Sequence, residues 1–141
     1  MLKFKRSLNL CMTDRYNQTG GDVASWTVLL TEEVETWLAV LVKEDAETAR
    51  LVRAAIRVLA TEGPTLGRPL ADTVKGSSLN NLKELRPGSS GRSEVRILFA
   101  FDPQRQAVLL TAGDKSGDWR GWYVKAIKRA EVLYANHVRS L

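Results

Sequence analysis

Histidine and cysteine are almost missing, one of each in 141 residues. A His/Cys zinc site therefore has no ligand set, and Cys11 has no internal disulfide partner, as suits a reducing compartment. A serine triad would have to recruit His137 near the end of the chain, and no GxSxG pattern accompanies it. Neither a P-loop nor a GxGxxG stands between a strand and a helix. No apolar run approaches the roughly 20 residues that span a bilayer. The start is basic, but Ser7 and Asn9 break its short apolar stretch, so it does not read as a secretion signal. The expectations are a cytoplasmic protein with no cofactor, no metal and no membrane partner. Met1 and Met12 are both candidate starts.

Charge is present and unevenly placed. Lysine and arginine number 21 against 16 acids, a net charge of +5. Residues 31–62 carry seven acids and four bases, whereas residues 83–129 carry ten bases and five acids. A basic second half suggests a polyanionic partner, with RNA the first candidate. Solvated surface lysines and arginines explain the composition equally well, so charge alone does not choose between the two.

Residues 1–23 lack periodicity and end in a Thr-Gly-Gly-Asp run, which reads as a flexible tail before a domain over 24–141. Trp26–Leu30 is β-branched and apolar, a short buried strand. Thr31 caps a helix with Glu32 and Glu33 in its first turn. A break near Lys43–Asp45 starts a second helix, which Gly63-Pro64 ends. Together these form a helical hairpin. Thr65–Ser78 reads as loop, Leu79–Arg86 as a strand, and residues 87–91 as a turn. Ser93–Phe101 alternates, with Val95, Ile97, Phe99 and Phe101 on one side and Arg96 on the other. Asp102–Arg105 is a tight turn, Ala107–Ala112 a further strand, and Trp119–Leu141 a closing helix. The class is α+β in the order β-α-α-β-β-β-α: a small antiparallel sheet, one face against the hairpin and Arg96 on the open face.

One cluster could carry chemistry: Lys83, Arg86, Arg92, Arg96 and Lys115, followed by Tyr123. The 2′-hydroxyl of RNA is itself a nucleophile. Cleavage needs a base for its proton, positive charge for the phosphorane, and an acid for the 5′-oxygen. Arginine suits the second task because its fork of donors matches phosphate. Lysine or tyrosine can move protons, and an aromatic ring can stack on a base. Each residue also has a plain reading: Tyr123 and Trp122 packing the last helix, Arg92 decorating a turn. Arg96 fits the plain reading least, since it sits mid-strand among apolar neighbours.

The series Asn81–Arg86 (NLKELR), Glu94–Asp102 (EVRILFAFD), Ala112–Lys115 (AGDK), Trp122-Tyr123 and Ala126-Ile127 resembles the phage-derived HigB-like branch of the RelE toxin superfamily. The similarity runs over about residues 24–137 and is specific in combination. It implies a RelE-like fold and the toxin of a type II toxin–antitoxin system. It also implies a metal-independent endoribonuclease that cuts messenger RNA on the ribosome. The implied partners are a cognate antitoxin, a HigA-like helix-turn-helix protein, together with the ribosome and mRNA. By position, Arg96 matches the family's mid-strand phosphate-binding arginine, and Arg86 is expected to hold the scissile phosphate with it. Lys115 and Tyr123 match a basic residue after the last strand and a functional tyrosine. Lys83 lies beside the family's basic strand, but Leu82 and Glu84 stand where relatives carry lysines, so the general base is open between Lys83, Glu84 and another group, and Glu84 reads either as the base or as a salt-bridge partner. His137 does not take over a catalytic role and reads as a surface histidine. The rival expectations are an RNA- or ribosome-binding module without catalysis, and an interaction protein functional only in complex with its antitoxin.

Overall fold

The computed structural model describes residues 4–7, 26–88 and 91–141. Cys11, Met12, most of the expected tail, and Ser89 and Ser90 of the expected turn lie outside these residues. The elements are β1 (Phe4–Ser7), β2 (Thr27–Thr31), α1 (Glu32–Glu44), α2 (Ala46–Glu62), β3 (Ala71–Thr73), β4 (Lys83–Leu85), β5 (Val95–Phe101), β6 (Gln106–Asp114) and α3 (Trp119–Arg139). The strands form one sheet in the order β1-β2-β6-β5-β4-β3. All neighbours are antiparallel except β2 and β6, which run parallel with Thr27 opposite Gln106. The α+β class and the meander β4-β5-β6 stand as expected. β1 and β3 are additions, and β1 falls within the stretch read as a tail.

Local chemistry places the hairpin. The Thr31 hydroxyl accepts the Val34 N–H, and three glutamates occupy the first turn of α1. Asp45 serves two helices: its N–H donates to Leu41, closing α1, and its carboxylate accepts the Thr48 N–H, opening α2. Gly63 ends α2 at φ +59, and a Cβ there would collide with the Trp26 indole. Only glycine tolerates both the left-handed backbone and that approach.

The sheet is covered on both faces. Val34, Leu38, Val52, Ile56 and Leu59 of the hairpin pack on Val95, Ile97 and Phe99. On the other side Ala126, Ala130 and Leu133 of α3 pack on Leu98, Ala100, Val108 and Leu110. The face expected to be open is thus largely roofed by α3. The reason lies in β5 itself: apart from Arg96, both of its faces are apolar, the pattern of a strand buried on two sides. Each fully buried leucine contributes roughly 1.5–3 kcal/mol over leaving it in water.

The β5–β6 register shifts between Leu98, opposite Thr111, and Phe99, opposite Leu109, so Leu110 is the extra residue of a bulge. Its carbonyl accepts the Thr31 hydroxyl at 2.8 Å, a buried bond between residues 79 apart. Thr31 therefore caps α1 and satisfies the bulge at once. Thr31→Val keeps the shape and loses both bonds. Urea unfolding is expected to show a loss of about 2 kcal/mol, with Thr31→Ser retaining most of the stability. An unchanged Thr31→Val midpoint would remove this role.

The β5–β6 loop holds the far end of α3. Pro103 to Arg105 form a three-residue loop closed by Asp102 N–H to the Gln106 carbonyl at 2.9 Å, with Arg105 at φ +60. The Asp102 carboxylate accepts the backbone N–H groups of Gln104 and Gln106 and the Gln106 side-chain amide. It also lies 2.7 Å from His137 Nε2. With the carboxylate ionised, Nε2 carries the proton and donates. His137 is only 3% exposed, so the surface reading is corrected. It continues the buried stripe Ala126, Ala130, Leu133 down one side of α3.

Candidate active site

The sheet register sorts the expected site residues. Glu84 lies opposite Leu98, and Lys83 opposite Phe99. By alternation Glu84 shares the α3 face with Arg96, while Lys83 belongs to the hairpin face. The Lys83 ammonium lies 5.9 Å from the Phe101 ring centroid on that side. The structure does not bring Lys83 together with Arg96.

Gly113 lies opposite Arg96, and a Cβ there would collide with the Trp122 indole. The missing side chain lets the first turns of α3 lie directly on β6. Tyr123, the next residue, then reaches across to β4, and its hydroxyl donates to Glu84 Oε1. Arg96 Nε is 3.8 Å from that same oxygen, an ion-pair distance rather than a hydrogen bond, and Nη1 donates to the Val95 carbonyl at 2.8 Å. The Glu84 and Arg96 side chains are 12% and 11% exposed. Arg96 is thus set beneath α3 beside a carboxylate, not displayed on an open face. Burial, then the bond to Glu84 and its charge, push the Tyr123 hydroxyl up to about 12, against an opposing pull from Arg96. Tyr123 is a donor at neutral pH, not a base.

Arg86 and Lys115 flank this cluster on the same face. Asp72 lies opposite Glu84, and its carboxylate is held by Arg68 at 2.9 Å with Arg86 further off at 3.9 Å. Lys115 Nζ lies 3.2 Å from Glu94, and its backbone N–H donates to the Glu94 carbonyl. Asp114 fixes this loop by accepting the N–H groups of Glu94 and Ser116. Burial raises the Asp114 carboxyl, but these bonds and the Ser116 hydroxyl outweigh it and hold the group below its usual range.

A groove of about 240 Å³ opens beside the cluster, lined by Thr73, Val74, Lys75, Glu84, Trp119, Tyr123 and Ile127. Trp119 is 54% exposed. Its ring meets Tyr123 edge-on at 6.4 Å, with the Arg120 guanidinium 5.3 Å from its centroid. Trp119, Arg120 and Lys75 were not among the residues expected from sequence. The one available signal was the Trp119-Arg120 pair, an aromatic and a cation opening a helix before its apolar stripe begins. A second groove of about 360 Å³, across α3, is lined by Trp122, Lys125 and Arg129 among others. There Glu33 accepts from Thr111 at 2.6 Å and from Arg129 at 2.9 Å.

Among the described residues no three His, Cys, Asp or Glu side chains are grouped so as to hold a metal ion. No helix among them is long and apolar enough to cross a membrane.

A hairpin-backed sheet with a charged and aromatic site under its last helix defines a small α+β protein of the RelE-like class. Sequence comparison is more particular: the chain belongs to the family described as "Phage derived protein Gp49-like (DUF891)", whose model matches residues 39–135. It is similar to two proteins of Mycobacterium tuberculosis (strain ATCC 25618 / H37Rv). One, named "Putative toxin HigB2", is 56% identical over 117 residues, covering 83% of this chain and 56% of that protein. The other, named "Putative toxin HigB3", is 47% identical over 113 residues, covering 80% of this chain and 94% of that protein. The chain thus spans little more than half the length of the first relative and nearly all of the second. No solved structure matches the chain.

Proposed function

We propose that this chain is the toxin of a type II toxin–antitoxin pair and a metal-independent endoribonuclease that cuts messenger RNA on the ribosome. The toxin names of its two relatives support the first half. The second half is carried by one observation: Tyr123, Glu84 and Arg96 meet on a single carboxylate oxygen beside a groove. Glu84 takes the 2′-hydroxyl proton, and the 2′-oxygen attacks the adjacent phosphorus. Arg96, with Arg86 and Lys115 nearby, offsets the charge that builds on the phosphorane. Lys115 returns a proton to the departing 5′-oxygen, leaving a 2′,3′-cyclic phosphate and a 5′-hydroxyl. Tyr123 stays protonated and fixes the Glu84 carboxylate. In this scheme Glu84 rather than Lys83 is the base, because Lys83 faces the hairpin. The partners are a cognate antitoxin of the HigA-like helix-turn-helix kind, the ribosome and mRNA, all in the cytoplasm.

A second reading, binding to RNA or the ribosome without cleavage, is favoured by one feature: Glu84 already neutralises Arg96 in the resting structure. A purified translation reaction separates the two. The wild-type chain is expected to cut mRNA on translating ribosomes, and Glu84→Gln to cut it at least about 100-fold more slowly. Ribosome association with intact mRNA would favour the second reading. Equal cutting by Glu84→Gln would remove Glu84 as base.

A further inference from the structure

We infer that the groove beside Trp119 is a nucleobase subsite, which holds one unpaired base of single-stranded RNA against the indole next to the scissile phosphate. The inference rests on the ribonuclease reading and adds what that site grips.

Four observations carry it. Trp119 is mostly outside the core, whereas Trp26, Trp37 and Trp122 are all partly buried. A tryptophan left in water forgoes the 150–250 Å² of burial that such a side chain usually contributes, so packing does not account for its place. The groove walls at Val74, Tyr123 and Ile127 are apolar over most of their area, and at about 240 Å³ the space is smaller than a drug-sized ligand requires. A single flat heterocycle fits it. Lys75 and Arg120 flank the aromatic surface, are exposed, and form no ion pair among the described residues. A mostly apolar groove with an exposed indole and cations free of ion pairs beside it is complementary to a base carrying its phosphates. Finally, Trp119 and Tyr123 are one helical turn apart and in edge contact, and Tyr123 holds Glu84. A base on Trp119 therefore lies beside the carboxylate proposed to take the 2′ proton. Bases within a duplex offer no free face, so the ligand is single-stranded.

The test uses the intact chain and ribosomes programmed with a short mRNA. In matched templates a single abasic nucleotide replaces the base just before or just after the cut. Wild type is expected to cut the unmodified template, and one abasic template at least about tenfold more slowly. Trp119→Ala is expected to lose at least about tenfold on the unmodified template and to show no further loss on that abasic one, because both changes remove the same stack. Trp119→Phe should recover most of the rate. Equal cutting by Trp119→Ala, or an abasic penalty that persists in it, would overturn the subsite. Thermal midpoints that match wild type confirm folding, and Lys75→Ala serves as a second variant with a smaller loss on every template. Failure of wild type to cut any template would instead strike the ribonuclease reading.

Discussion

Arg96→Ala is expected to abolish growth inhibition in cells that make the soluble protein, with mRNA cleavage reduced about 10²–10³-fold. The guanidinium is the only cation in contact with the Glu84–Tyr123 pair among the described residues, and it sits where a phosphate brought to Glu84 would meet it. In the proposed reaction its loss leaves only the more distant Arg86 and Lys115 to offset the phosphorane charge. Arg96→Lys should recover little, since an ammonium cannot both reach the Val95 carbonyl and present a planar fork. Stability should change as well, because the largely buried Glu84 carboxylate would lose its cation. Cleavage is therefore compared at a temperature where both proteins are folded by circular dichroism. Undiminished toxicity of Arg96→Ala at equal protein levels would end the assignment.

Asp102→Ala is expected to cost about 3–5 kcal/mol, because it removes a buried carboxylate on which several donors depend. Four donors converge on that carboxylate: His137, the Gln106 amide and two backbone N–H groups. Truncation strands them all in the interior. For a chain of this size the thermal midpoint should fall by roughly 10 °C or more. The acid limb of stability carries the same signature. Burial raises the Asp102 carboxyl, but the bonds from His137, Gln106 and Gln104 outweigh it and hold the group below its ordinary value. A depressed folded value means the contribution is complete above the unfolded value near pH 4 and fades as pH falls below it. Wild type should therefore lose stability on acidification over that range more steeply than Asp102→Asn, which has no charge to lose there. Identical acid profiles would show that the carboxylate is not the group responsible.

Much of the scaffold was legible because its signals are local. Thr31, Asp45 and Gly63-Pro64 mark helix ends by chemistry that needs only a few neighbouring residues, and the structure has both helices within a residue or two of those marks. The alternation of Val95, Ile97 and Phe99 located the hairpin face correctly. What escaped depends on distant partners. β3 is three residues long and has no alternation to detect, so residues 65–78 read as loop. The strand expected over residues 79–86 narrows to Lys83–Leu85, and its register against β5, which decides whether Lys83 or Glu84 meets Arg96, is set by a distant partner. The parallel β2–β6 pairing joins segments that share no local sequence, and no pattern in either announces it. His137 sits on the helical repeat of Ala126, Ala130 and Leu133, but a lone histidine on an apolar stripe reveals its buried carboxylate partner only once the fold is known. Among the site residues, Arg96, Arg86, Lys115 and Tyr123 share the expected face, while Trp119 was hidden by lying outside any periodic pattern.

The β2–β6 pairing has a consequence for synthesis. Thr31 must wait for Leu110, 79 residues further along, before its hydroxyl proton finds its buried acceptor. At translation speeds of about 5–20 residues per second, that interval lasts roughly 4–16 seconds. Throughout it the nascent chain can make its helical hairpin but not the centre of its sheet, because such non-local pairing must first meet the entropy of closing a long loop. Tyr123 emerges later still, so the Glu84 carboxylate cannot meet all its partners until every residue from 84 to 123 has left the exit tunnel.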